Sequence, residues 1–445
     1  MTTFDDILPI TVEVLTSQRD KIAQLEWLLV NRDLNGRVRL IAPEQQCRES
    51  EAQRTSVEAV YQSLSERLAP HTYSTDVGIL YETSQEVACQ GVSHYVLNGL
   101  DNVRVVDRLA TEANWVRIEP ESQSVPRIVF FSIKGGVGRS TALAATAWSL
   151  AQAGKRVLVL DLDLESPGLS SALLPRDRQP RYGITDWLVE DLVDNADTIF
   201  DSMIASSNLS HDGEIHVVPA HGAIPGEHIA KLGRVWMPKV QADGAREPWP
   251  ERLERLLQAL EERVQPDVVL IDSRSGIDEI ASACITGMGA ILILLFALEG
   301  EQTWNGYRML FDQWRRAGVA QEIRERLQMV GAIVPEQNQI EYLKELREHS
   351  YEIFVDTLYD EIAPNKTGLG PDGTWQVGNL SEGRNFDEAD EGAPHYPWAV
   401  NWHRSFAGLR SLYGRLSEIN TKDMDFIFGP LLNGLKDTLD LRKTS

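Results

Sequence analysis

In the stretch FFSIKGGVGRST, Phe130 to Thr141, a glycine-rich turn separates an apolar segment from an alanine-rich one, and few folds accommodate this combination. Glycine adopts backbone conformations in which successive amide N–H groups point inward. A helix that begins directly after such a turn adds the positive end of its dipole. The stretch therefore predicts a buried strand, an anion-binding turn and a helix from about residue 140 to residue 151.

The turn departs at one position from the phosphate-binding motif G-x-x-x-x-G-K-[ST], because Arg139 stands where the motif has lysine. Lysine is a compact charge and arginine is a longer planar fork, so the exchange conserves the charge but moves it. Backbone amides and a metal ion supply much of the binding energy for a phosphate, so affinity survives the exchange. Stabilisation of a transition state depends on closely fixed geometry, so hydrolysis of a bound nucleotide is expected to be slow or absent.

After residue 127 the chain repeats a pattern of apolar strand, loop and helix, which is typical of a parallel sheet with helices on both faces. The predicted strands are mostly continuous apolar runs: 127–133, 156–162, 215–219, 267–272, 290–298 and 327–334. The sequence thus predicts an α/β fold with a doubly wound, mostly parallel sheet in this part of the chain.

The first 121 residues have a different pattern, in which short apolar segments alternate with amphipathic helices. Strands are predicted at 11–15, 38–41, 77–81, 103–106 and 115–118, and one helix carries an apolar stripe of Val57, Val60, Tyr61, Leu64 and Leu68. We therefore expect four segments: a smaller N-terminal α/β regulatory or interaction domain (1–121), a linker (122–126), the main domain (127–420) with a long loop (363–398), and a C-terminal helical tail (421–445). The long loop is interpreted either as a lid or as a solvated surface loop.

The charge and composition of the chain limit which kinds of partner it can bind. The formal net charge of −23 at pH 7 opposes binding to nucleic acid and to anionic membranes, and the chain has no long basic block. The longest apolar run, 290–298, is about half of the roughly 20 residues that span a bilayer. The three cysteines are far apart and the N-terminus is acidic. We expect a cytoplasmic protein that binds neither nucleic acid nor membranes.

The segment KGGVGRST, from Lys134 to Thr141, resembles the deviant Walker A loop K-G-G-x-G-K-[ST]-[ST] of the ParA/MinD ATPases, and the similarity extends over about 127–335. The resemblance implies a P-loop NTPase domain that binds ATP and Mg²⁺ and forms a homodimer when ATP binds. In that family the lysine that matches Lys134 reaches the phosphates of the partner across the dimer. The phosphates would be held by the loop residues Gly135, Gly136, Val137, Gly138, Arg139, Ser140 and Thr141, of which Ser140 would also ligate Mg²⁺.

The resemblance also implies roles for two aspartates. The segment VLVLDLDLESPGL contains Asp161 and Asp163, and the spacing in the family selects Asp163 as the residue that orients the attacking water. Asp161 is the weaker candidate. The segment PDVVLIDSRSGI places Asp272 at the end of a strand, where relatives hold Mg²⁺ through water. The adenine pocket would include Val334, Pro335 and Glu336, although the asparagine often found there is missing.

Arg274 is a second departure from the family, whose members usually carry proline at this position. Its guanidinium either acts on the γ-phosphate in the manner of an arginine finger or forms an ion pair with Asp163 or Glu165.

The chain also resembles a branch of these ATPases that has K-G-G-V-G-R, D-L-D-L-E-x-P-G-L and D-S-R-[ST]-G. Arg139 and Arg274 are thus interpreted as parts of one coherent variant, and the expected catalytic residues are Lys134, Arg139, Asp163 and Arg274.

Two functions stay open. One is an ATP-binding, slowly hydrolysing and dimerising switch of the ParA/MinD type that regulates or positions an unknown partner protein. The other is a catalytically attenuated nucleotide-sensing scaffold, for example in a bacterial conflict or signalling system.

A bacterial tyrosine kinase normally ends in clustered tyrosines, which the tail LKDTLDLRKTS lacks. The spacing of Leu431, Leu435 and Leu439 instead predicts a tail helix that docks on the core.

Overall fold

The computed structural model describes residues 2–109, 114–209, 212–241, 243–362, 383–406 and 412–443. It divides into two compact units, Met1–Ile118 with Arg316–Val319, and Glu119–Arg315 with Ala320–Ser445. Most of the long loop predicted at 363–398, namely 363–382, lies outside the described residues. Within the described part of the chain, no helix is both long and apolar enough to span a membrane.

The first unit contains a five-stranded mixed sheet with the order β3-β2-β1-β5-β4. Its strands are β1 (Leu28–Arg32), β2 (Val38–Pro43), β3 (Ile79–Glu82), β4 (Ser93–Leu97) and β5 (Leu100–Asp107). Its helices are α1 (Ile7–Ser17), α2 (Arg19–Ile22), α3 (Glu44–Glu49), α4 (Glu51–Leu68), α5 (Thr75–Gly78) and α6 (Gln85–Cys89). Strand β1 runs parallel to β5 and antiparallel to β2.

Some predicted strands of this unit are wrong and one helix is confirmed. Residues 11–15 belong to α1, because Ile7, Thr11, Val14 and Leu15 are buried at helical spacing. Residues 115–118 form no strand, and 77–81 is divided between α5 and β3. The predicted apolar stripe of α4 is confirmed, since all five of its residues are buried.

The second unit contains an eight-stranded sheet with the order β17-β14-β13-β6-β12-β7-β9-β8. Its strands are β6 (Arg127–Ser132), β7 (Arg156–Asp161), β8 (Ala205–Ser206), β9 (Glu214–Val218), β12 (Val268–Asp272), β13 (Leu292–Ala297), β14 (Leu327–Val334) and β17 (Trp398–Asn401). Two short pairs lie outside it: β10 (Lys239–Val240) with β11 (Arg246–Glu247), and β15 (Glu361–Ile362) with β16 (Gly383–Arg384).

All pairings in the large sheet are parallel except the pairing of β8 with β9. The six predicted strands are confirmed, and the edge strands β8 and β17 were missed because each is short. From β6 the chain continues to β7, β8 and β9 on one side, returns to β12 next to β6, and then adds β13, β14 and β17 on the other side, so the strand order reverses at β6 and β12. In parallel sheets of this kind the crevice outside the carboxyl ends of the strands at such a reversal is the usual ligand site.

The helices of the second unit are α7 (Arg139–Gln152), α8 (Leu169–Leu173), α9 (Ile184–Asp191), α10 (His228–Val235), α11 (Trp249–Val264), α12 (Glu279–Ser282), α13 (Glu301–Ala317), α14 (Ala320–Ile323), α15 (Gln339–Thr357), α16 (Leu412–Glu418) and α17 (Thr421–Lys443). Helix α7 is buried on most of its circumference. Its alanines make this burial feasible, because small side chains let a helix approach the sheet closely.

The tail helix α17 packs on the same core. Leu431 and Leu435 are buried in the cluster that includes β6 and α7, and Leu439 packs against that cluster. The predicted docking of the tail is thus confirmed. The indole ring of Trp398 on β17 lies directly against Gly434 of α17, where an added Cβ would be only 2.4 Å from the ring.

A buried histidine holds the described part of the segment predicted as the long loop. His395 is fully buried. Its Nδ1 accepts a hydrogen bond of 2.7 Å from the Tyr359 hydroxyl, and its Nε2–H donates to the carbonyl of Glu388 at 3.1 Å. Burial lowers the pKa of His395 below its usual value, although Asp390 and Glu388 oppose this shift. The ring is therefore neutral at physiological pH.

We predict that Gly434→Ala destabilises the protein by about 1–3 kcal/mol, because the new methyl group overlaps the Trp398 ring and the close-packed core must shift to admit it. Gly233→Ala in α10 is the matched control, since an added Cβ there meets nothing within 4 Å. The control should gain about 0.5–1 kcal/mol from helix propensity. Urea denaturation of the three proteins measures both effects, and equal midpoints for the two variants would contradict the packing argument.

We also predict that His395 contributes to acid destabilisation. The pKa of His395 is depressed in the folded state, so the unfolded chain takes up the proton first as the pH falls. Stability is therefore full above the unfolded pKa of 6.5 and falls as the pH drops through it toward the folded value. Urea midpoints measured at about pH 7.5 and about pH 5.5 should differ more for the wild type than for His395→Gln. An identical pH dependence for the two proteins would show that His395 does not titrate in this way.

Candidate functional site

The glycine loop lies at the carboxyl end of β6, where the strand order reverses. Gly136 and Gly138 have φ values of +75° and +80°. This left-handed region is costly for residues with a Cβ, so both positions require glycine. Gly138 is also the N-cap of α7, and the helix begins at the next residue, Arg139.

The loop presents amide donors without acceptors. In the described part of the chain, the N–H groups of Gly136, Val137 and Gly138 make no hydrogen bond. They lie next to the N-terminus of α7, whose dipole attracts anions. A Cβ placed on Gly136 would meet nothing within 4 Å, so the space beside it is open. This donor set fits a phosphate group.

The Arg139 side chain turns inward to the ends of neighbouring strands. Its Nε donates to Oδ1 of Asp272 at 2.6 Å, and its Nη1 donates to the Ser132 hydroxyl at 3.2 Å. Its Nη2 lies 3.5 Å from Oδ2 of Asp163. The residue is only 7% exposed. The charge that a standard loop offers to phosphate is here neutralised by two carboxylates.

Asp161 and Asp163 differ sharply in environment. Asp161 is fully buried, and its two oxygens accept the N–H groups of Asp163 and Leu169. Burial, together with the nearby carboxylates of Asp272 and Asp163, raises the pKa of Asp161 to about 8, so Asp161 is protonated at neutral pH. Asp163 is partly exposed, and its Oδ1 accepts the N–H of Ser166. Asp161 therefore anchors the loop after β7, and Asp163 is the carboxylate within reach of a ligand.

Asp272 and Ser140 lie together at the end of β12 and the start of α7. Burial raises the pKa of Asp272, and the adjacent Arg139 guanidinium and Ser140 hydroxyl oppose the shift. Within the described residues, no cluster of three or more histidine, cysteine, aspartate or glutamate side chains is arranged to hold a metal ion. A hydroxyl and a carboxylate nevertheless fit Mg²⁺ that arrives with phosphates, because Mg²⁺ commonly takes one or two protein oxygens and completes its shell with phosphate and water.

Arg274 forms an ion pair across two loops. Its Nη2 lies 2.6 Å from Glu165, in the loop after β7, and its Nη1 lies 3.0 Å from Asp278, in the loop after β12. Of the expected pairings, the one with Glu165 is present. Asp278 was missed by the sequence argument, although its position as N-cap of α12, accepting the N–H of Ala281, follows a common capping pattern.

The remaining predicted residues lie around the loop. Lys134 is half-buried and has no carboxylate partner among the described residues. Thr141 is in the first turn of α7. Val334 ends β14 and its carbonyl accepts the N–H of Trp402 at 2.7 Å, and the predicted base-pocket residues Pro335 and Glu336 follow it toward solvent.

Ile333 is a site residue that sequence reasoning missed. Its φ of +50° is a conformation that β-branched residues rarely adopt, and such outliers cluster at functional sites. A Cβ placed on Gly138 would lie 3.7 Å from its Cγ1, so Ile333 brings the end of β14 beside the glycine loop. The sequence GAIV does not indicate the positive φ of Ile333 or its position beside the loop, because it is an apolar segment typical of any buried strand.

The part of the chain that contains the glycine loop is similar to known proteins. Residues 128–347 match the family model described as the CobQ/CobB/MinD/ParA nucleotide binding domain. A stretch of 37 residues is 57% identical to a protein provisionally named arsenical pump-driving ATPase 1 of Aquifex aeolicus (strain VF5), and it spans 8% of this chain and 9% of that protein.

Two solved structures are similar at low identity. One is pNOB8 ParA bound to nonspecific DNA, at 15% identity and a TM-score of 0.41, covering 72% of this chain and 99% of that one. The other is the septum site-determining protein MinD of Pyrococcus horikoshii OT3 complexed with Mg-ADP, at 20% identity and a TM-score of 0.32, covering 48% of this chain and 72% of that one.

The family match covers the large sheet from β6 to β14 and excludes β17, and the glycine loop lies at the point where the order of the strands reverses. Residues 128–347, just under half of the chain, therefore form a domain similar to the CobQ/CobB/MinD/ParA nucleotide binding domain, with the glycine loop near its start.

Proposed function

We propose that the protein is an ATP-binding switch of the ParA/MinD type that hydrolyses ATP slowly, dimerises when ATP binds and regulates or positions a partner protein. One observation carries the proposal. The unpaired loop amides immediately precede Arg139, and the Arg139 guanidinium contacts Asp163 and Asp272. Through this residue a group of anion-binding donors is connected to the oxygens that would orient water and hold a metal ion. This combination suits a nucleotide triphosphate with Mg²⁺.

Each residue then has a separate task in binding. The amides of the loop and the dipole of α7 bind the phosphates, and Lys134 adds a positive charge that no carboxylate neutralises within the described residues. Ser140 and Asp272 would hold Mg²⁺, which when bound neutralises phosphate charge. Val334, Pro335 and Glu336 are proposed to border the base, so the preference for adenine rests on the family.

Asp163 is the better candidate for orienting the attacking water. Its Oδ1 is held by the Ser166 N–H, which fixes the direction of the carboxylate. Asp161 is buried and its raised pKa keeps it protonated, so it accepts no proton from water near neutral pH. The difference in environment between two neighbouring aspartates thus supports the assignment that the spacing in the family suggests.

Arg274 is proposed to couple the two loops that border the site. Its ion pairs with Glu165 and Asp278 join the segment after β7 to the segment after β12, so a ligand that moves one loop also moves the other. A nucleotide-dependent surface for a partner or a second copy requires such concerted movement. A direct action of Arg274 on the γ-phosphate would require it to leave Glu165.

A specific observation also favours the nucleotide-sensing scaffold. The Arg139 guanidinium lies 3.5 Å from Oδ2 of Asp163, so the carboxylate that would orient water already faces a cation of the protein. A site with this arrangement binds a nucleotide and turns it over slowly or not at all. The protein partner is unknown, and the net charge of −23 opposes nucleic acid or an anionic membrane in that role.

We predict that Asp163→Ala retains ATP binding and lowers the rate of phosphate release by about a hundredfold or more, because water is no longer oriented. With Mg²⁺ and ATP, this variant should accumulate as a dimer in light scattering. Asp177→Ala, which removes an exposed carboxylate from the 3₁₀ turn Arg176–Arg178, is the matched control and should behave as wild type.

The same measurements separate the two functions. Wild-type protein that binds ATP and releases phosphate supports the switch. If the wild type binds ATP and releases no phosphate, the scaffold is the correct alternative. If ATP does not bind at all with Mg²⁺ present, both proposals fail.

We further predict that Arg274→Met and Glu165→Gln have non-additive effects on phosphate release, because each breaks the same link between the two loops. The pair is partly exposed, so its contribution to the free energy of unfolding should stay below about 1 kcal/mol. Arg263→Met with Asp201→Asn is the matched exposed pair, at 2.9 Å, and should leave phosphate release unchanged. Additive effects of the Arg274 and Glu165 variants would contradict the coupling.

A further inference from the structure

We propose that Arg139 is a positioning residue and not a phosphate ligand: its guanidinium holds the carboxylates of Asp163 and Asp272 in one arrangement, and the grip on phosphate is left to the loop amides and Lys134. The part of this inference that concerns phosphate rests on the proposed function. The part that concerns the two carboxylates does not, because it describes the nucleotide-free protein.

The first argument is geometric. Three different nitrogens of the guanidinium face three different side chains: Nε faces Asp272, Nη1 faces Ser132 and Nη2 faces Asp163. Only a planar fork with several donors spans such a set, whereas the single ammonium of lysine reaches one or two of them at a time. The arginine at this position is therefore not an equivalent of the usual lysine.

The second argument concerns charge. The side chain of Asp272 is 1% exposed and that of Asp163 is 15% exposed. Buried carboxylates are strongly destabilising unless a cation and hydrogen bonds compensate them. Among the described residues, Arg139 is the cation in ion-pair contact with both aspartates. To reach a phosphate in the loop, the guanidinium would have to leave both of them uncompensated.

The third argument concerns the groups of the loop that are available to bind an anion. Lys134 and Arg139 are the two cations of the segment Lys134 to Thr141, and Lys134 has no carboxylate partner among the described residues. The loop amides are also unpaired. These groups are free to bind an anion, while every described contact of the Arg139 guanidinium is made inside the protein.

The position of Asp163 depends on this contact. The segment from Asp163 to Leu169 is fixed at both ends by hydrogen bonds from Asp163 N–H and Leu169 N–H to Asp161. The Asp163 carboxylate itself is held by the Ser166 N–H and by Arg139. Loss of the guanidinium removes the link from Asp163 to Asp272 at the end of β12 and leaves the partly exposed ion pair of Glu165 with Arg274, so the segment should open more often.

The experiment compares Arg139→Met, Arg139→Lys and Lys134→Met with the wild type as full chains. Hydrogen exchange of the amides of 163–169 is measured without nucleotide. Binding of a fluorescent ATP analogue is measured with Mg²⁺. For Arg139→Met we expect exchange in this segment to be faster by about tenfold or more and affinity to stay within about threefold of wild type.

For Lys134→Met we expect the reverse: exchange as in the wild type and affinity lower by about tenfold or more. Where the wild type releases phosphate, Arg139→Met should lower kcat and leave KM nearly unchanged, a split that a general loss of stability would not produce. Unchanged exchange in Arg139→Met together with affinity lower by about tenfold would overturn the proposal and make Arg139 a phosphate ligand.

Two further results are decisive. If Arg139→Met does not fold, Arg139→Lys decides the question: protection of 163–169 between the wild-type and unprotected levels supports the proposal, and wild-type protection overturns it. If no protein binds the ATP analogue, the proposed function and the assignment of the phosphate grip both fail. The role of Arg139 in holding the two carboxylates is then judged by the exchange measurement alone.

Discussion

The ion pair between Arg139 and Asp272 is the interaction on which the site depends. Gly138 adopts a left-handed conformation, so α7 begins at Arg139. A cation at this position is opposed by the positive end of the helix dipole and by its own burial. The carboxylates of Asp272 and Asp163 offset both effects. The first turn of α7, the end of β12 and the loop after β7 are therefore tied together before any ligand binds.

Those parts of the fold that follow from local chemistry were predictable from the sequence. The central strands of the large sheet are buried on both faces, so each is a continuous apolar run that can be recognised without knowledge of its neighbours. The glycine loop is likewise encoded locally, since Gly136 and Gly138 require positive φ values. In contrast, 11–15 was wrongly predicted as a strand, because five residues cannot distinguish a short apolar run from one face of a longer helix.

The features that escaped prediction depend on contacts between distant segments. The sequence places Arg139 in the loop but does not indicate whether its side chain turns toward phosphate or toward Asp272, which is 133 positions away. Arg274 could be assigned to a group of partners only, and Asp278 was missed. The positive φ of Ile333 has no sequence signal, because it is imposed by the end of β14 rather than preferred by isoleucine.

The two arginines divide the work of holding the site. Arg139 acts in the buried part, where pairing is strong because desolvated charges attract at low dielectric. Arg274 acts at the partly exposed rim, where water screens its bonds to Glu165 and Asp278 and makes them easier to exchange. The loop after β7 is thus held firmly at Asp163 and loosely at Glu165. A ligand that competes for one of these contacts displaces the rim first, so partner-dependent movement can occur while the carboxylates next to the loop stay in place.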